Sequence, residues 1–172
     1  MASATLSVLV GKNFACLRVA GRANCKCGPQ FHELLVGLEQ KDYHHFIIDL
    51  SECVLMDSTF LGVLSGFGIK LNAADAIPGS GIVLHNASER ISELLETIGA
   101  LDLFQLTQGV LQLPGETEVI PAANVEPTRE QLTQTSLEAH ETLMALNPEN
   151  VNRFKDVVKF LSEDLQNIKN AS

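Results

Sequence analysis

Two short, uninterrupted apolar runs, Phe46-Ile47-Ile48 and Ile82-Val83-Leu84, constrain this chain more than any other feature. Runs of β-branched and aromatic residues without polar alternation suit strands buried on both faces, as in parallel pairing beneath helices. Apolar residues at helical spacing follow each run. Phe60, Leu61, Val63, Leu64, Phe67 and Leu71 come after the first, and Ile91, Leu94, Leu95 and Ile98 after the second. This alternation predicts an α/β fold with right-handed crossovers.

Other segments extend the pattern. Leu6, Val8 and Val10 alternate, Gly11-Lys12-Asn13 offers a turn, and Ala15, Leu17 and Val19 alternate again, which predicts an antiparallel hairpin. Residues 29–40 open with Pro29 and place Phe31, Leu34, Leu35 and Leu38 on one helical stripe. Pro78-Gly79-Ser80 marks a turn, Asn86 with Glu89 reads as a capping box, and Gly99 as a helix terminator. With a short last strand inside residues 103–113, the expected order is β-β-α-β-α-β-α-β. That is a mixed β-sheet of four to five strands packed with helices.

Glycine marks the boundary. All 12 glycines lie at or before Gly115. Three of the six prolines, Pro114, Pro121 and Pro127, fall in a stretch that also carries Glu116, Glu118 and Glu126 and no basic residue. Proline and unopposed charge favour an extended, solvated linker. The expected division is a domain over 1–113, a linker over 114–127 and a two-helix extension over 128–172. Thr128 with Gln131 reads as a capping box, and Leu132, Ala139, Leu143 and Leu146 share a face. Asn147-Pro148 starts a second helix with Val151, Phe154, Val157, Val158, Leu161, Leu165 and Ile168 on a stripe. Two helices cannot bury both stripes alone. They are expected to dock on their own domain, on a second copy as a homodimer, or on a partner.

Composition excludes several functions. Lys and Arg number 12 against 21 Asp and Glu, a net charge of −9. Such a chain lacks the basic footprint for nucleic acid and is disfavoured at an anionic membrane surface. No apolar run approaches a membrane span, and the N-terminus lacks a signal-peptide layout. Cys16, Cys25, Cys27 and Cys53 do not resemble a disulfide framework, so a reduced, cytoplasmic protein is expected.

The segment with chemistry is Asp57-Ser58-Thr59-Phe60-Leu61-Gly62, between a strand and a helix. Asp, Ser and Thr oxygens accept the orphan amide protons of a first helical turn, so Ser58 reads most simply as a cap. A helix N-terminus also favours negative charge, so a serine there tolerates a phosphoryl group. Gly62, Gly66 and Gly68 each cost the helix about 0.8–1 kcal/mol against alanine, which points to a face needing close approach. That approach is either packing within the fold or a low-relief surface for a partner.

Together, Phe46-Ile47-Ile48-Asp49-Leu50-Ser51, the Asp57-Ser58-Thr59 turn with Leu61-Gly62, and Ala87-Ser88-Glu89-Arg90 through Gly99-Ala100-Leu101-Asp102 resemble a STAS domain. This is the sulfate-transporter and anti-sigma-factor-antagonist family, and the likeness covers roughly residues 3–113. The resemblance implies phosphorylation of Ser58, with Thr59 as second choice, by a serine protein kinase that is also the anti-sigma factor. It implies reversal by a PP2C-type phosphatase and a partner surface over Asp57, Ser58, Thr59, Phe60, Leu61 and Gly62. The unmodified form would bind the kinase and release a sigma factor. The family usually has glycine where this chain has Phe60, a bulky side chain that either obstructs a kinase or anchors a different partner. The alternative is an unphosphorylated STAS adaptor subunit of a signalling or lipid-transport assembly.

Other signals weigh less. Gly62-Val63-Leu64-Ser65-Gly66 misses nucleophile-elbow spacing and lies inside a helix. Cys25 and Cys27 with His32 fall short of a four-ligand zinc site, and the adjacent His44 and His45 face opposite ways on a strand. No enzyme, cofactor or metal is expected.

Overall fold

The computed structural model describes residues 2–73 and 77–171 as an α/β fold. β1 (Thr5–Val10) and β2 (Ala15–Ala23) form the expected hairpin, with Val8 opposite Leu17. Then come α1 (Gly28–Gln40), β3 (His45–Asp49), β4 (Cys53–Met56) and α2 (Ser58–Ala73). β5 (Gly81–His85), α3 (Glu89–Thr97), β6 (Gln105–Thr107) and β7 (Glu118–Ile120) follow, and α4 (Arg129–Leu146) and α5 (Glu149–Ala171) end the chain. The sheet runs β6-β5-β3-β2-β1-β7, with β4 paired to β2 off that path. β2, β3, β5 and β6 are mutually parallel, whereas β1 is antiparallel to β2 and β7.

The class is as expected, but the described residues hold seven strands rather than four to five. β4 is too short to announce itself by periodicity. It forms because β2 is nine residues long and outlasts β3: Ala15–Arg18 pair with β3, and Gly21–Ala23 with β4. The register slips between Gly21 and Arg22, where Gly21 takes φ +104°, a conformation that favours glycine. β7 lies inside the stretch expected as a solvated linker. Its Ile120 packs against the core opposite Val8, while Val119 stays exposed.

Alternation divides the sheet into two faces. Leu6, Val8, Leu17, Val19, Phe46, Ile48, Ile82 and Leu84 enter the main core with Phe31, Phe60, Leu64, Ile91 and Leu95. Cys16, Ile47 and Phe14 form a thin second cluster, with Leu9, Val83, Leu111 and Leu113 against it. The α3 cap is Ser88, whose hydroxyl accepts from the Ile91 amide, rather than Asn86. Asn86 adopts φ +56° and donates to Ser51 Oγ and the Gly109 carbonyl.

The helical extension docks on its own chain. The Thr128–Gln131 capping box forms as expected. α4 lies across α2 and α1, and α5 packs back on α4. Asn150 is fully buried and donates to the Ile98 carbonyl at 2.9 Å and the Leu143 carbonyl at 2.8 Å. Arg153 donates to the Thr97 carbonyl at 3.0 Å, at the negative end of the α3 dipole. The α5 stripe is only partly used: Leu165 is buried, whereas Val151 and Val157 remain exposed.

Candidate functional site

The entrance to α2 is built by the forked strand β2. At its far end, the Asp57 amide donates to the Ala23 carbonyl at 2.9 Å, setting the α2 entrance beside the loop into α1. Asp57 is the cap of α2. Its Oδ1 accepts from the Phe60 amide at 2.9 Å, and its Oδ2 from the Cys25 amide at 2.6 Å. Loss of such a cap costs about 0.5–2 kcal/mol. Ser58 therefore occupies the first helical position, and its hydroxyl is free for other work.

That hydroxyl meets the helical extension. Ser58 Oγ lies 2.7 Å from His140 Nε2. His140 Nδ1 lies 2.6 Å from the Ser136 carbonyl, which can only accept, so Nδ1 carries the ring proton. With Nε2 unprotonated it is an acceptor, and the Ser58 hydroxyl donates to it. Thr59 Oγ1 and Ser136 Oγ share a 3.1 Å hydrogen bond one turn away. Ser58 and Asp57 keep partial exposure, whereas Thr59 is buried.

The remaining members of the expected surface are turned inward. Phe60 is fully buried and stacks on Phe31 with ring centroids 4.3 Å apart, and Leu61 also lies in the core. Neither side chain faces outward to a partner, because the first turn of α2 presents this side to α1 and the sheet. Phe60 thus reads as a packing residue of the core. Gly62 faces α4: a Cβ there would stand 2.6 Å from the Ala139 Cβ and overlap the Ala139 carbonyl. Gly66 faces Thr142, and Gly28 faces Thr135 and Thr59. The close approach expected of these glycines is within the fold: Gly62 and Gly66 face α4 of the same chain, whereas Gly68 faces Phe104 and Leu103.

His140 was missed by sequence reasoning. The available signal was a run of small and polar residues at helical spacing (Thr133, Ser136, Ala139 and His140) on a helix otherwise rich in charge. All four are buried.

A second polar cluster sits at the ends of β3 and β5. The Asp49 carboxylate accepts from the Ser51 amide and hydroxyl on Oδ1 and from Arg18 Nε at 3.0 Å on Oδ2. Burial works to raise its pKa, but the Ser51 and Arg18 interactions outweigh that and hold it below the usual value. His85 hydrogen bonds to Thr107 and Gly109, so this cluster is internally satisfied. The four cysteines are free. Burial pushes the Cys16 thiol up to about 11, with help from Asp49, and burial does the same to Cys53. Among the described residues no group of three or more His, Cys, Asp or Glu is placed to hold a metal, and no helix is long and apolar enough to cross a membrane.

No family model matches the chain. The anti-sigma-B factor antagonist of Staphylococcus epidermidis is 28% identical over 104 residues, spanning 60% of this chain and 93% of the relative. Two strains of that species carry a protein of the same name with the same match. Among solved structures, the anti-sigma factor antagonist SpoIIAA in its unphosphorylated form is 15% identical with a TM-score of 0.49, covering 63% of this chain and 90% of that one. The Bacillus cell fate determinant SpoIIAA in the phosphorylated form is 17% identical with a TM-score of 0.48, covering 60% and 90%.

Proposed function

We propose, from the homology of this chain to the anti-sigma factor antagonists, that it is a partner-switching regulator of the STAS type acting through Ser58. In this reading unmodified Ser58 permits binding of a serine kinase that is also the anti-sigma factor. Phosphorylation of Ser58 releases it, and a PP2C-type phosphatase restores the unmodified form. The protein then works in the cytoplasm by binding rather than by catalysis.

One observation carries this reading: a partly exposed hydroxyl in the first turn of a 16-residue helix, next to the Asp57 cap. The helix dipole tolerates an added phosphoryl group, while a partner surface does not. Phosphate adds about −1.5 to −2 charge beside the Asp57 carboxylate. A shift of binding from 1:99 to 99:1 takes about 5.5 kcal/mol, within reach of one unpaired buried charge. The test compares wild type, Ser58→Ala and Ser58→Asp for capture of the kinase encoded nearest this gene. Ser58→Asp should lose binding at least tenfold while Ser58→Ala keeps it. Equal capture by all three removes the switch.

The Ser58–His140 contact favours one second reading, a constitutive STAS adaptor whose serine serves only to seat α4. Binding indifferent to position 58 but lost on disturbing α4 would support it.

A further inference from the structure

His140 follows Ser136 by four residues on α4, so one helical turn brings its ring to that residue's carbonyl. The carbonyl takes Nδ1 at 2.6 Å, and Phe154 of α5 meets the ring edge-on with centroids 5.1 Å apart. The ring is thus fixed on two sides, with Nε2 facing Ser58 Oγ at 2.7 Å. Seating α4 does not require this imidazole. Ala139 and Leu143 are buried in the main core with Phe60, Leu61 and Leu64, and Ser136 bonds Thr59 one turn away. What the imidazole adds is chemistry. A serine hydroxyl is a weak nucleophile until a base within hydrogen-bond reach accepts its proton, and a third group must hold that base in the correct tautomer. Ser58, His140 and the Ser136 carbonyl fill those three places. The neighbouring Asp57 carboxylate is committed to the Phe60 and Cys25 amides. Only the base is enclosed: His140 is 5% exposed, whereas Ser58 is partly open to solvent. The hydroxyl is approached from outside while α4 stays in place.

We infer that His140 is a general base carried by this chain for its own Ser58, which makes Ser58 an activated nucleophile toward phosphorus. When Oγ attacks a nucleoside triphosphate, the Oγ–Pγ bond forms, the bond from Pγ to the bridging oxygen breaks, and nucleoside diphosphate leaves. The Ser58 proton passes to His140 Nε2, while Nδ1 keeps its own proton on the Ser136 carbonyl. Negative charge on the phosphoryl oxygens lies at the N-terminal end of the α2 dipole, which favours it. A protein kinase commonly brings the base itself, as an aspartate that accepts the substrate hydroxyl proton. Here the acceptor supplies one, and the kinase delivers and orients the donor. This role deepens the proposed phosphorylation of Ser58 and rests on it for the donor, but the activation is a property of the isolated chain.

The test uses the full chain and a biotinylated alkyl fluorophosphonate, whose P–F bond breaks as the Oγ–P bond forms, with fluoride leaving and the proton passing to His140. Labelling is located by peptide mass spectrometry and timed on wild type, on His140→Gln and, as the site control, on Ser58→Ala. A synthetic peptide of residues 52–64 gives the rate for the same serine without the base. General-base catalysis contributes about 10²–10⁴-fold, so wild-type Ser58 should react at least about a hundredfold faster than the peptide. Glutamine at position 140 still offers an oxygen to the Ser58 hydroxyl but cannot take up its proton. His140→Gln should therefore lose at least about tenfold in rate while α4 keeps wild-type hydrogen-exchange protection. A histidine that only seats α4 would leave the rate unchanged. The comparison of wild type with the peptide stands even where His140→Gln does not fold. Ser58 labelled no faster than the peptide, or equally fast in wild type and folded His140→Gln, overturns the inference. No kinase enters the experiment, so the two readings fail separately. An activated Ser58 that is never phosphorylated in cells removes the switch and leaves the dyad, and an inert Ser58 removes the dyad and leaves the switch.

Discussion

At the α2 entrance a single carboxylate joins two segments, because Asp57 caps the helix with one oxygen and holds the Cys25 amide with the other. Capping by Asp57 leaves the Ser58 hydroxyl available to donate elsewhere, and it donates to His140. Asp49 organises the opposite cluster in the same way, with Ser51 on one oxygen and Arg18 on the other. Its depressed pKa has a defined consequence for stability. The unfolded chain takes up this proton near pH 3.9, and the folded chain only at lower pH. The stabilisation is therefore complete well above pH 4 and is lost as pH falls through the folded pKa. Asp49→Asn should cost about 1–3 kcal/mol at neutral pH and flatten the acid limb of the stability curve, measured by urea unfolding between about pH 6 and 2.5. An unchanged acid slope would show that Asp49 titrates alike in both states.

At the scale of elements, α2 and α4 behave as a coupled pair. The 2.7 Å separation of Ser58 Oγ and His140 Nε2 leaves no space for a phosphorus atom between them. A chain carrying phosphoserine at position 58, installed during synthesis, should exchange its α4 amides about tenfold faster than the unmodified chain, read by mass spectrometry. Unchanged or slower exchange would mean that the extension accommodates the phosphate. The sequence announced most of these elements through local chemistry. Phe46-Ile47-Ile48, the Phe60–Leu71 spacing and the Thr128–Gln131 box are all readable within a few residues of themselves. β4 and β7 were not legible, because three or four residues carry no period and each forms only by pairing with a distant strand, β2 or β1. The site divided in the same way. Ser58 was legible because a helix start is local. His140 was not, because its partner lies 82 positions away and nothing near residue 140 refers to it. Phe60 was placed on the surface by analogy with a family position, yet the aromatic ring found Phe31 instead.

At the scale of the whole molecule, an acidic chain of net charge −9 carries an α/β body and a helical hairpin folded back over its most distinctive turn. Exposed Val157 and Phe160 on α5 show that burial against the body does not exhaust the hairpin's apolar surface. The hairpin is held at two separated points, by His140 and Ser136 at the α2 entrance and by Asn150 and Arg153 at the end of α3. Between these points Ala139 and Leu143 of α4 are buried in the main core. All of this acquires a regulatory meaning only if Ser58 is chemically modified in the living cell. The direct measurement is phosphopeptide mapping of the chain purified from its own cells, compared between growth and stress. The account predicts a phosphoryl group on the Ser58 peptide in one condition and its loss in the other. A Ser58 peptide recovered unmodified in both, with the protein present throughout, would contradict it.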